Sequence, residues 1–324
     1  MPAAIIYETA ALFALLAQAR SAGGDTAMSL VTTDISRYVA DPKAALVRTK
    51  IAGSQWKPRD ERTETGTVTL RVITAYRSVP PVLKADDTFE IEGVRTTDPM
   101  NRQLDLRNPW NVLPLEPNEE LLLALHAGPS SRLWIPLAMA PFDGNDSALR
   151  EAIAIEALPA RERLPRLEKA LPSDTYLLRA YALSELKHKE VATREQAAAA
   201  IAQAFESTKS VNARLALFTA MEGRDYFQEE LGPDPANVAI LSAWLKVILR
   251  EGDKERRASF LNHLAAAIGS KLDDDPAKDR ALRARLAAAI HDPPKKQVAA
   301  MFRAAAAANP GDARYKRLAE AWGG

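Results

Sequence analysis

An α+β chain of two domains, a small antiparallel β-barrel followed by an all-α helical-repeat array, is the fold that the sequence predicts. Three observations carry it. Strand-like alternation of apolar and polar residues is confined to the stretch between Ala44 and Met139. From Asn145 onward the apolar period becomes that of helices, and cap signals recur at regular spacing. At 324 residues the chain is long enough for two cores, since single cores tend to split above roughly 250–300 residues. The expected division is 1–25 as a signal peptide or N-terminal helix with its linker, 26–143 as the barrel domain and 144–324 as the helical-repeat domain.

The apolar run over residues 3–19 is too short and too interrupted to span a bilayer comfortably. It fits a signal peptide with Ala17, Gln18 and Ala19 as a small-x-small cleavage site. It also fits an amphipathic helix packed on the body, because no Lys or Arg precedes the run and Glu8 lies inside it. An exported, periplasmic location is expected, with a cytoplasmic one as the alternative. No other segment approaches transmembrane length, so no integral membrane segment is expected.

Residues 34–39 fit either a helical turn or a short strand. Ala44 to Ala52 reads as a first strand closed by Gly53 and Ser54, and Gln55 to Thr65 as a charged, solvated loop. The second strand is the clearest: Val68, Leu70 and Val72 alternate with Thr67, Thr69 and Arg71, the period of a sheet with one buried face. Ile73 breaks that alternation and suggests a bulge. Pro80 and Pro81 forbid continuation, since proline cannot donate to a ladder. Asp86 and Asp87 turn the chain into Thr88–Glu92, with Phe89 and Ile91 facing in. Arg95 to Leu115 is an irregular connection of a length that is usually functional or a covering flap. A turn at Pro117, Asn118 and Glu119 leads into the unbroken apolar run Leu121–Leu125, which fits a central strand. Gly128 to Ser131 looks like a hairpin connection. Alternation returns in Leu133, Ile135, Leu137 and Met139, with Pro136 marking an edge. About five strands in roughly 100 residues suit a small barrel or sandwich.

Helix starts fall near residues 173, 193, 210, 234, 253, 275, 293 and 312, after a first helix capped by Asn145 to Ser147. Thr193 and Gln196 form a capping box, and Asp234 with Pro235 combines a cap with a first-turn proline. Every second start is separated by roughly 40 residues, the period of paired-helix repeats such as HEAT units. A compact helical bundle would leave a similar pattern.

The order of features between Ala44 and Met139 resembles the netrin-like, tissue-inhibitor-of-metalloproteinase-like barrel, an OB-type fold. The matching elements are Ala45 to Arg48, Thr67 to Val72, Val82 to Lys84 with Asp87 to Ile91, and Pro117 to Leu125. Bacterial exported proteins of this kind often append helical repeats, so the resemblance implies an OB-like barrel, a HEAT-like array and an exported setting. The animal inhibitors act through an N-terminal cysteine that chelates the protease metal. This chain has no cysteine, so inhibition is not carried over.

The same lack removes disulfides, thiolate nucleophiles and cysteine-based metal sites. Lys plus Arg (43) nearly cancels Asp plus Glu (42), which leaves no overall field to concentrate nucleic acid. No GxSxG, GxxxxGK[ST] or GxGxxG motif occurs. The histidines, His126, His188, His263 and His291, lack the spacing of a metal pair. Asp143 to Asp146 and Asp273 to Asp275 read as turns feeding helix N-termini. No cofactor, metal or nucleic-acid partner is expected. Tryptophan and arginine are enriched where proteins bind proteins, and Trp56, Trp110, Arg102 and Arg107 are the candidate partner-binding residues. The expected function is non-enzymatic protein binding or scaffolding through the barrel loops and the groove of the helical array. The alternative is a hydrolase-like enzyme with an interdomain carboxylate site using Asp98 and Asp105.

Overall fold

The computed structural model describes residues 35–97, 117–130, 133–142, 144, 146–222, 234–269 and 276–323. Residues 1–25, the segment 98–116 with Asp98, Arg102, Asp105, Arg107 and Trp110, and the acidic run 273–275 lie outside them. The chain divides into two compact units, Met1–Arg150 and Glu151–Gly324.

The first unit is a closed barrel of β1 (Ala45–Pro58), β2 (Thr63–Arg77), β3 (Thr88–Thr96), β4 (Glu120–Ser130) and β5 (Leu133–Pro141). The strand order β1-β2-β3-β5-β4 closes back on β1. All pairings are antiparallel except β3 with β5, which meet in parallel at Glu90 and Leu133. This is a five-stranded barrel of OB type. Val47, Ile51, Val68, Leu70, Val72, Phe89 and Ile91 fill it, with Leu121, Leu123 and Trp134. β4 is bonded on both sides, and Leu122 and Ala124 on its other face are buried as well, which is why its apolar run does not alternate.

Ile73 is the extra residue of a bulge: Arg48 faces Thr74 while Thr49 faces Val72. Residues 35–38 form a 3-10 turn. The Arg77 guanidinium holds the end of that turn, donating to the carbonyls of Tyr38, Val39, Asp41 and Ala44 at 2.5–2.9 Å. Two elements differ from the sequence reading. Gln55 to Thr65 is not a loop but the paired outer ends of β1 and β2, turning only between Pro58 and Thr63. In β5 the first inward residue is Trp134 (1% exposed), whereas Ile135 points out (49%). The slip between Ala124 and Leu125, which passes over Leu137, then returns Met139 to the core.

Two glycines are dictated by close approach. At Gly128 a Cβ would lie 2.2 Å from the Leu133 carbonyl oxygen, and at Gly66 it would lie 2.5 Å from the Gln55 oxygen and 2.6 Å from the Trp56 ring. Gly66→Ala therefore forces the outer β1–β2 pair apart. Its expected cost is about 1–3 kcal/mol, read by chemical denaturation of the full chain.

The second unit carries helices α2 (Ala160–Ala170), α3 (Tyr176–Glu185), α4 (Arg194–Ser207), α5 (Val211–Glu222), α6 (Pro235–Arg250), α7 (Lys254–Gly269), α8 (Pro276–Ala289), α9 (Lys295–Ala308) and α10 (Ala313–Gly323). α1 (Asp146–Glu156) precedes them across the boundary between the units. The Thr193–Gln196 capping box is formed, and Asp234 accepts from the amides of Ala236 and Asn237. Helix α2 was not expected from the sequence. It starts at Pro159 with no side-chain cap and contains Pro165.

Pairing in this unit follows a rule. Neighbours in sequence form hairpins (α2 with α3, α4 with α5, α6 with α7, α9 with α10). Equivalent helices then stack on one another: α2 on α4, α4 on α6, α6 on α9, and α3 on α5, α7 on α10; α8 stands outside this rule and packs on α10. The offset is visible in single contacts. Arg194 reaches Asp234 and Lys246 reaches Glu206, each 40 residues away, so α4 and α6 run parallel with the spacing of the helix starts. The unit is an array of stacked helix hairpins.

Candidate functional site

Of the four residues proposed from the sequence, Trp56 alone lies among the described ones. It sits on β1 opposite Gly66, half-buried and packed against the barrel core. The absent Cβ of Gly66 lets the indole lie against the β2 backbone. The Arg95 guanidinium lies 4.3 Å from the ring centroid and is itself fixed by Glu64 at 2.7 Å. Trp56 thus covers the sheet here. Beyond it the hairpin tip exposes Lys57, Arg59, Glu61 and Arg62. Asp60 closes the tip, accepting from the Thr63 hydroxyl at 2.6 Å and the Arg62 amide at 2.8 Å, and these bonds hold its carboxyl below the usual range. The Thr97 amide donates to the Arg62 carbonyl at 2.8 Å and ties the end of β3 to this tip.

A polar cluster that the sequence did not suggest surrounds Arg48. It pairs with Glu120 at 2.6 Å and Asp146 at 2.9 Å and lies 3.9 Å from the Phe142 centroid. Tyr76 donates to the same Asp146 carboxylate. Both carboxylates are thus engaged, and Asp146, the first residue of α1, is held by Arg48 and Tyr76 together. Among the described residues no three metal-ligating side chains converge.

In the second unit an open groove of about 510 Å³ runs between α4 and α6. Its floor is made of small side chains, Ala199 and Ala202 from α4 with Ala239 and Ser242 from α6. They face the groove because the apolar ridges of both helices are spent on the core behind it, where Ile201, Phe205, Ile240 and Trp244 are fully buried. At one end Lys246 bridges Glu206 (3.2 Å) and Asp292 (3.0 Å) and so ties α4, α6 and the turn before α9 together. Burial disfavours its charge, but the bonds to Asp292 and Glu206 outweigh that and hold the ammonium above its ordinary range. Arg250 also lines the groove, one turn further on; it is exposed and makes no ion pair or hydrogen bond among the described residues. The groove therefore offers a small-residue floor, a bridge in which Lys246 faces two carboxylates, and a cation outside that bridge.

A third cluster lies closed inside the first helices of this unit. Arg163 on α2 donates through one nitrogen to Glu156 of α1 (2.9 Å) and Glu185 of α3 (2.8 Å), and caps the Glu156 and Leu158 carbonyls. The Tyr181 hydroxyl donates to the same Glu156 oxygen at 2.8 Å. Burial, then the charge of Glu156, push the Glu185 carboxyl up. Burial and the bond to Glu156 push the Tyr181 phenol far above its usual range. Burial opposes the Arg163 charge, but the bond to Glu185 and the charge of Glu156 keep it raised. One cation faces two carboxylates, so the guanidinium stays charged while only one acid is fully matched.

Neither a family model, nor a curated protein, nor a solved structure matches the chain.

Proposed function

We propose that the protein is a non-enzymatic binding or scaffolding protein whose helical unit takes a segment of a partner protein in the α4–α6 groove. The observation that carries this is the groove itself: small side chains at Ala199, Ala202, Ala239 and Ser242, with Arg250, which makes no ion pair among the described residues, at its end. Small floor residues let a partner backbone or a short apolar face approach closely, and burial of that apolar surface supplies the drive. Lys246 is engaged by Glu206 and Asp292, whereas Arg250 makes no ion pair among the described residues and is the cation open to a partner. The occupant is therefore a small-residue or apolar peptide segment carrying an Asp or Glu at the Arg250 end.

The test is selection of a displayed peptide library against the full-length protein. Acidic, apolar-flanked peptides are expected to enrich, and to lose at least tenfold in affinity against Ala239→Arg and Arg250→Glu. Equal binding by the wild type and both variants would overturn the reading. The barrel's strand order supports the OB-type, netrin-like reading of the first unit, with an exported setting to be tested by fractionation of the native cells. No helix among the described residues is long and apolar enough to cross a membrane.

A further inference from the structure

The buried cluster of Glu156, Arg163, Tyr181 and Glu185 has a charge problem that its geometry makes explicit. Glu185 is 3% exposed. Its carboxylate and that of Glu156 both touch the same Arg163 nitrogen, at 2.8 and 2.9 Å. With both acids ionised the group carries one unmatched negative charge in a closed space; with one proton added it is neutral. Enclosed charges that lack a partner are strongly disfavoured. Tyr181 adds a hydrogen bond and no charge, and it donates to Glu156, so Glu185 lacks that second donor and is the acid that keeps the proton. The remaining titratable group facing the cluster is His188, 3.9 Å from Glu185 and more than half exposed. Its charge is screened by solvent and does not replace a second buried cation.

We propose that Glu185 keeps its proton beside the Arg163–Glu156 pair, so that the joint of α1, α2 and α3 is a pH-responsive latch, tight while the proton is kept and loosened when Glu185 ionises. The sign follows from linkage. Burial and the neighbouring Glu156 raise the folded-state affinity of Glu185 for its proton above that of the unfolded chain. The folded state then binds more protons than the unfolded one in the interval between the two, and stability falls as pH rises through it. The contribution is complete below the unfolded carboxyl range and is lost through the folded one.

The experiment uses the full-length protein. Helical circular dichroism is followed on heating from about pH 5 to about pH 8 for the wild type, Glu185→Gln and His188→Gln. The wild type is expected to lose roughly 2–4 °C more of its midpoint over this interval than Glu185→Gln, and His188→Gln is expected to keep the wild-type descent. As a second readout, infrared titration of the wild type should show a protonated carboxyl band near neutral pH that Glu185→Gln removes. Parallel pH profiles for the wild type and Glu185→Gln, or no such band, would overturn the proposal.

Discussion

Arg163→Met is expected to destabilise the helical unit by roughly 3–5 kcal/mol, the usual cost of removing one partner from a buried ionic group. The side chain does three things at once. It is the cation shared by Glu156 and Glu185, it holds the terminal carbonyls of α1, and it joins three helices. Methionine preserves much of the volume, so the loss reports charge and hydrogen bonding rather than a cavity. Adding Glu185→Gln to Arg163→Met should recover part of the loss, because one stranded carboxylate is then gone. Thermal and denaturant unfolding of the single and double variants measures both effects.

Trp244→Ala is expected to cost a further class of stability, about 3–5 kcal/mol. Trp244 is fully buried on α6, and its ring centroid lies 4.9 Å from that of Phe218 on α5. Phe218 in turn meets Phe260 on α7 at 5.1 Å, and Phe260 meets Phe205 on α4 edge-on at 6.4 Å. Phe205, Phe218 and Phe260 thus form a closed triangle, and the indole packs on it through Phe218, joining four successive helices. Its removal leaves a cavity that backbone-fixed neighbours fill poorly. Because α6 also forms a wall of the groove, Trp244→Ala should weaken peptide capture together with stability, whereas Arg250→Glu should weaken capture with little change in the unfolding midpoint. That contrast separates a binding residue from a scaffold residue.

The parts of the fold legible in the sequence are those where burial is one-sided. Val68, Leu70 and Val72 could be read because the outer face of β2 meets solvent, and the caps at Thr193 and Asp234 because short polar side chains satisfy the first helical amides. The outer ends of β1 and β2 were read as a loop for a physical reason: in β1 beyond Ser54 only Trp56 is even half-buried, so no alternation exists to see. Helix α2 was hidden by Pro159 and Pro165 in place of a polar cap. The inward phase of β5 was misplaced because the slip past Leu137 reverses it, and nothing local marks that slip.

The candidate site was less legible than the fold. A groove of interaction was expected, but its residues were not named, because alanines at positions 199, 202 and 239 look the same whether they pack a core or floor an opening. The bridge of Glu206, Lys246 and Asp292 and the cluster around Arg163 join residues from separate helices. Such groupings depend on how the helices pack rather than on spacing within one helix: Glu206 and Lys246 lie 40 residues apart, and Glu156 and Glu185 lie 7 and 22 residues from Arg163. Trp56 was found, and its contacts with Gly66 and Arg95 show what the tryptophan covers.

Hydrogen exchange of the full-length protein, with and without a selected acidic peptide, tests the docking surface most directly. Protection is expected on the groove turns of α4 around residues 199–207 and of α6 around residues 239–250, and it should disappear with Arg250→Glu. Protection confined to other helices, or unchanged by Arg250→Glu, would contradict the assignment of the groove.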